Sequence, residues 1–433
     1  MNDYEFGNKI YELRKKCKIS QEKLGELVGV SNKAVSKWEM GKAKPNVDVL
    51  KKLCDVFNVK LEYLLDNKNE NINITKIVIT GGPCAGKSTA LSWIQNHFIK
   101  KGYKVLFINE SATELINNGI NYETCKSRLD FQKAIVGLQL EKEKIYMNAA
   151  KLMDGKILIV CDRGLLDSKA FINELEFQKI CNDFNTNEIE MRDNYDAVFH
   201  LVSCAKGAEE FYTKDNNSAR QENIDEARIV DDKIIAAWTG HPHFRIIDNS
   251  MSFEEKIKKL LKEIDSFLKE PIGYEIERKY LIEYPNIKLL ESMDNCEKVE
   301  IIQTYLLSDN DEEVRVRQRG KNGNYIYYQT IKKNISNLKR IETEKRLSKE
   351  EYLNLLMNAD PSCRQIRKTR YCITYGKTYY EIDIFKDNNK DALLEVELLT
   401  ESDDVEIPPF VKVIKEVTND ESYKNHNIAK IKK

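Results

Sequence analysis

The stretch Lys76-Ile77-Val78-Ile79-Thr80-Gly81-Gly82-Pro83-Cys84-Ala85-Gly86-Lys87-Ser88-Thr89 decides the fold of the middle of this chain. A short β-branched run leads into a glycine-rich turn, and Lys87-Ser88-Thr89 then opens a helical pattern. A phosphate-binding loop needs that order. Glycines let backbone amides close around phosphate oxygens, the helix start adds positive potential, a lysine bridges the outer phosphates and a hydroxyl ligates magnesium. Gly81, Gly82, Pro83, Cys84, Ala85, Gly86, Lys87, Ser88 and Thr89 are therefore expected to hold the triphosphate of ATP or GTP, with Ser88 on the metal. Cys84 supplies a backbone position that the turn needs, not a redox switch.

Outward from the loop, Val105-Leu106-Phe107-Ile108 and Ile157-Leu158-Ile159-Val160 are further apolar runs separated by long helical patterns. They imply a parallel sheet covered by helices. Such a loop needs an acid at the end of a neighbouring strand to hold hydrated magnesium. Asp162 fits, followed by Arg163, with Asp167 one helical turn further.

At 433 residues the chain is too long for one ordinary domain. A 41% hydrophobic fraction suffices for packed cores, and 32% charged residues at a net charge of -1 describe balanced surfaces, so any DNA-binding face must be local. Ten scattered cysteines without a C-x-x-C pair and only five histidines indicate neither a zinc site nor a disulfide scaffold. With no signal-peptide core and no membrane-length apolar run, the expectation is a cytoplasmic protein without membrane contact. Composition divides the chain into an all-α helix-turn-helix segment (1–66), a linker (67–73), an α/β segment with a parallel sheet (74–269) and an α+β segment built on an antiparallel β-barrel (270–433).

In the first segment, helices are expected over 4–15, 21–28, 32–40, 46–57 and 61–65. The turn Gly29-Val30-Ser31 gives a helix-turn-helix spacing with Ser31 as N-cap. The wording Ile19-Ser20-Gln21-Glu22-Lys23-Leu24 and Val30-Ser31-Asn32-Lys33-Ala34-Val35-Ser36-Lys37-Trp38-Glu39-Met40-Gly41 resembles the Cro/C1-type repressors. The resemblance implies that Asn32, Lys33, Ser36 and Lys37 face the major groove of a double-stranded DNA operator and that Gln21 binds a phosphate. One module binds weakly, so a homodimer on a two-fold operator is implied as well. The alternative is a small helical module for protein contacts.

In the middle segment, Asp162-Arg163 resembles small-molecule and nucleotide kinases. Gly207-Ala208-Glu209-Glu210-Phe211-Tyr212-Thr213, Arg220-Gln221-Glu222, Asp231, Trp238-Thr239-Gly240-His241-Pro242-His243 and Ile247-Asp248-Asn249 extend the likeness. Together they resemble the P-loop kinase-like AAA-type ATPases whose relatives include the ribosylnicotinamide kinase part of the bacterial NAD regulator. By that resemblance Lys87, Asp162 and Arg163 are catalytic, and Arg220 belongs to a mobile lid that stabilises transferred charge, with Arg228 a weaker candidate. Glu110 faces the phosphoryl acceptor, or else caps the helix starting at Ser111. His241 and His243 are as readily structural.

After Gly273, strands carry charge at alternate positions: Glu275-x-Glu277-x-Lys279, Arg315-x-Arg317, Glu342-x-Glu344, Lys368-x-Arg370, Glu381-x-Asp383 and Glu395-x-Glu397. Period two places each set on one strand face, and the repetition suggests a barrel whose interior is charged. Solvated cross-strand ion pairs are the alternative. The order resembles the CYTH, or triphosphate tunnel metalloenzyme, family. The resemblance points Glu275, Glu277, Glu342, Glu344, Asp383, Glu395 and Glu397 at Mg2+ or Mn2+. It points Lys279, Arg315, Arg317, Lys332, Arg340, Lys368 and Arg370 at phosphates, with Lys279 also catalytic.

These segments lead to the expectation of a kinase-like ATPase, with ATP as substrate, fused to a tunnel phosphohydrolase and directed to DNA. Its other ligands would be a small phosphorylated metabolite or a polyphosphate. A ligand-sensing transcription regulator without turnover and an RNA-end kinase/triphosphatase are the competing readings.

Overall fold

The computed structural model describes residues 3–17, 19–57, 73–212, 223–268, 276–308, 312–336, 339–386, 390–400 and 402–431. The helix expected over 61–65, Arg220 and Glu275 lie outside them, as do the side chains of Arg340 and Glu342. The chain forms two compact units, Met1–Asn73 and Ile74–Lys433.

The first unit contains α1 (Asp3–Lys16), α2 (Gln21–Val28), α3 (Asn32–Glu39) and α4 (Val47–Phe57). Ser20 caps α2 and Ser31 caps α3, each hydroxyl accepting a backbone N–H three residues on. Gly29 ends α2 at φ 80°, a conformation that favours glycine. Phe6, Ile10, Leu24, Val35, Trp38 and Leu53 close one apolar core. Gly25 lets the turn pass: a Cβ there would lie 2.7 Å from the Val30 carbonyl oxygen.

In the second unit, β1 (Asn73–Gly81), β2 (Tyr103–Ile108), β3 (Lys156–Asp162), β4 (Ala197–Leu201) and β5 (Phe244–Ile247) form a sheet ordered β2-β3-β1-β4-β5. The pairs β1–β4, β2–β3 and β4–β5 are parallel, as the apolar runs between helical patterns imply. Helices α5 (Lys87–Lys100), α6 (Ser111–Asn117), α7 (Arg128–Ala150), α8 (Glu174–Asp183), α9 (Glu188–Arg192), α10 (Ile224–Trp238) and α11 (Phe253–Phe267) accompany it. Ile77, Ile79, Leu158, Val160 and Phe199 meet Ile94 of α5 and Ile257, Leu260 and Ile264 of α11 in the core.

Nine antiparallel strands follow: β6 (Ile276–Glu283), β7 (Cys296–Leu306), β8 (Glu312–Lys321), β9 (Asn324–Ser336), β10 (Lys339–Leu347), β11 (Ile366–Tyr375), β12 (Thr378–Phe385), β13 (Asp391–Leu398) and β14 (Val413–Glu416). Their order is β10-β9-β8-β7-β11-β12-β13-β6-β14. One face is apolar, where Tyr280, Ile282, Tyr371, Ile373, Ile382, Leu394 and Val396 cluster. The alternate residues make the other face charged yet buried: Asp383 is 0% exposed, Lys368 4% and Arg370 8%.

The two sheets of this unit are joined by a buried polar network. Asp193, at the end of α9, accepts from Arg192 Nε (2.8 Å) and Arg319 Nη1 (2.9 Å), and Arg319 Nη2 donates to the Gly240 carbonyl (2.7 Å). Ile189 packs with Ile326 and Tyr328 beside it. Among the described residues no helix is long and apolar enough to cross a membrane.

Candidate functional site

The glycine-rich loop is held from below by two buried side chains. Asp231 Oδ1 accepts the N–H of Gly82 (2.9 Å) and of Ser203 (3.1 Å), and lies 2.9 Å from His200 Nε2. A Cβ at Gly82 would stand 2.7 Å from that oxygen, which is why glycine is needed. Lys256 of α11, 2% exposed, donates to the Ala85 carbonyl (3.2 Å), the Val202 carbonyl (2.7 Å) and Asn249 Oδ1 (2.7 Å). Burial lowers its pKa to about 8, with Asp231 opposing the shift.

Above the loop opens a pocket of about 1010 Å³ that Lys87, Ser88, Asp162, Arg163 and Glu110 all line. Arg163 follows β3 directly at φ 70°, a left-handed conformation that costs energy for a residue with a side chain. Its Nε donates to Glu110 Oε1 (2.5 Å) and its Nη1 to Asp167 Oδ1 (3.0 Å). Glu110 occupies the N-cap position of α6 but makes no side-chain cap bond; it accepts instead from Thr113 Oγ1 (2.8 Å). Burial opposes its ionisation, yet Arg163 and Lys87 prevail and hold the carboxyl at about 2. Asp167 is fixed by Thr80, the Gly164 N–H (2.9 Å) and Trp238 Nε1 (3.1 Å).

Asp162 differs from its neighbours. Burial lifts its pKa above the ordinary aspartate range while Lys87 pulls the other way, and Oδ1 is buried without a hydrogen-bond partner among the described residues. A buried, unsatisfied carboxylate oxygen in the same pocket as Ser88 fits a magnesium ion. His241 and His243 are structural: His241 Nε2 lies 3.0 Å from the Tyr195 carbonyl, and burial holds the two imidazoles at about 3 and about 4. Arg228 is engaged by Glu209 (2.9 Å), Asp225 (3.0 Å) and the Ala205 carbonyl (2.6 Å).

The charged face of the antiparallel sheet carries two groups. In one, Arg370 bonds Glu381, Asp383 (Nε to Oδ1, 2.7 Å) and Glu395 (2.9 Å); Lys368 bonds Asp383; and Lys279 lies 2.8 Å from Glu395. In the other, Glu344 accepts from Arg317 (2.8 Å) and Thr330 (3.0 Å). Arg315 stands opposite Thr330 and Tyr305, and Lys332 opposite Glu342 and Glu313. Glu277 and Glu397 face each other across β6 and β13, and Glu397 is bonded by Arg245 of β5. Among the described residues no three carboxylates, imidazoles or thiols converge as a metal-ligand group. These described acids alone do not assemble the metal site expected of them.

In the first unit, Asn32, Lys33 and Lys37 are exposed on α3 and Ser36 is half-buried, while Val35 and Trp38 of the same helix are buried. Gln21 Nε2 donates to Glu39 Oε2 (2.7 Å), which also binds Arg14. Sequence reasoning noted Asp231 only as part of a pattern and missed Lys256 and Arg245. Lys256 had a signal, because it occupies the helical phase of Ile257, Leu260 and Ile264.

Family models match at residues 10–64 (Helix-turn-helix), 76–256 (AAA domain) and 273–424 (CYTH domain). The N-terminal segment is 39% identical over 74 residues to Repressor protein C2 of Salmonella phage P22, spanning 17% of this chain and about a third (34%) of that one. It is 41% identical over 64 residues to the uncharacterized HTH-type transcriptional regulator YgzD of Bacillus subtilis strain 168, spanning 15% of this chain and 97% of that one. Among solved structures, the inorganic triphosphatase NE1496 is 28% identical over 36% of this chain and 95% of its own, at a TM-score of 0.27.

Proposed function

We propose that the chain, which matches helix-turn-helix, AAA and CYTH models, is an ATP-binding, phosphate-handling enzyme directed to double-stranded DNA as a homodimer. In this reading the AAA domain transfers the terminal phosphoryl group of ATP to a small phosphorylated metabolite, and the CYTH domain cleaves a triphosphate or pyrophosphate compound. The observation that carries the first half is the unsatisfied Asp162 oxygen in the same pocket as Lys87 and Ser88.

Backbone amides of residues 81–89 would hold the phosphates, and Lys87 would bridge the outer two. Magnesium held by Ser88 and Asp162 would neutralise charge between the phosphates. Arg163, locked by Glu110 and Asp167, presents a fixed cation at the pocket. With its carboxylate engaged by Arg163 and Thr113, Glu110 orients that cation rather than accepting a proton. On the CYTH face, Lys279, Arg315, Arg317, Lys332, Arg340, Lys368 and Arg370 would receive phosphates, and Lys279, Arg317, Lys368 and Arg370 would release the carboxylates they now neutralise. Asn32, Lys33, Ser36 and Lys37 would meet the DNA.

Purified protein with magnesium or manganese should release phosphate from ATP, inorganic triphosphate or pyrophosphate; no release from any of the three sinks the enzyme. One observation favours a second reading, a regulator that binds these ligands without turnover: Asp383, Glu395, Glu344 and Glu397 each already have a basic partner. Changing Glu275 and Glu277 to Gln separates the two. Lost hydrolysis with an unchanged DNA response to ligand favours the regulator.

A further inference from the structure

The charged CYTH face ends at a cleft of about 1850 Å³ against the AAA domain, and the two walls of that cleft differ in charge. On the CYTH side, Glu277 stands directly opposite Glu397, and Glu381 directly opposite Glu395. Like charges so placed repel unless cations intervene. For the inner pair the cations are Arg370 and Lys279, from the CYTH domain itself. For the outer pair, Arg245 comes from the AAA domain and is held from behind by Glu263 at 3.6 Å.

The opposite wall continues this basic contribution. Lys259 and Lys262 of α11 line the cleft. Lys259 and Lys377, from different domains, approach Asp248 at 3.7 and 3.6 Å, while its Oδ1 accepts no hydrogen bond from the described residues. The AAA wall also carries Glu255, Glu263 and Asp265, but Lys100, Arg245, Lys258, Lys259 and Lys262 outnumber them, and an acid-rich wall facing a wall with a cationic excess suits a ligand with charge of both signs. A condensed phosphate chain carrying its divalent counter-ions is such a ligand.

We propose that the cleft is a subsite for the trailing phosphates of an inorganic polyphosphate whose leading phosphates lie on Lys279 and Arg370, so that the AAA domain supplies part of the CYTH substrate site. The proposal rests on the CYTH reading given above. Its test is the full chain carrying Lys259→Ala and Lys262→Ala, compared with the unaltered protein while saturating ADP fills the nucleotide pocket. With manganese, the KM for long-chain polyphosphate should rise about tenfold through loss of two charged contacts. The KM for tripolyphosphate, too short to span both places, should shift much less. Equal shifts for both substrates, or none, overturn the subsite. If the unaltered protein cleaves neither substrate, the hydrolase reading falls and the subsite is judged by binding of fluorescently labelled polyphosphate. Weaker binding by the variant then supports it, and equal binding overturns it.

Discussion

Lys256 makes the sharpest residue-scale statement. Its ammonium spends three N–H donors on three acceptors, one of them the Ala85 carbonyl in the phosphate loop. Burial brings its pKa to about 8, whereas the unfolded chain keeps that proton to about 10.4. Between those values the unfolded state binds more protons, so folding stability rises with pH. Nucleotide binding should move the other way, because the neutral amine has two donors for three acceptors and no charge beneath the loop. Affinity for an ATP analogue should fall as pH rises through about 8, and Lys256→Met should bind more weakly with that inflection gone. Titration calorimetry at pH 7 and 9 checks both. The loop, Asp162 and Arg163 were legible because their chemistry is local in sequence. Lys256 was legible only as a cation in the apolar phase of its helix, since two of its three acceptors are 171 and 54 residues away.

At the scale of elements, capping and periodicity account for the first unit, and the helices expected over 4–15, 21–28 and 32–40 correspond to α1, α2 and α3 within one residue at each end. The bond joining α1 to α3 was not legible: Arg14 reaches Glu39 at 2.6 Å, with side-chain exposures of 7% and 5%. Removing one partner of a buried pair strands the other, so Arg14→Ala should destabilise this unit by about 3 kcal/mol in urea unfolding. On α3, Lys33→Ala with Lys37→Ala should weaken operator binding and reduce its salt slope by about 2, if both lysines contact phosphates. For β6 to β13, alternation exposed the charged set, because period two needs no knowledge of neighbouring strands. Which carboxylate meets which cation depends on strand order, and alternation carries none of that. The Arg370 and Asp383 pairing follows from β11 lying beside β12.

Across the whole molecule, the decisive feature is the joint between the parallel and antiparallel sheets. Asp193 and Arg319 are 126 residues apart, and nothing local marks them as partners. Their side chains are 0% and 2% exposed, so Asp193→Ala would leave Arg192 and Arg319 buried without their shared anion. The cost should be about 4 kcal/mol. In calorimetry it should lower one joint transition of the AAA and CYTH parts, or split it in two, and leave the transition of the first unit in place.

That joint separates ancestry from severability. Three family matches divide the chain, yet only Asn73/Ile74 divides it into compact units. A protease or an engineer cutting near residue 270 would cleave between two recognisable modules and lay bare Arg319, Ile326 and Tyr328, each no more than 9% exposed in the intact chain. Each fragment would then carry a sticky, half-finished surface.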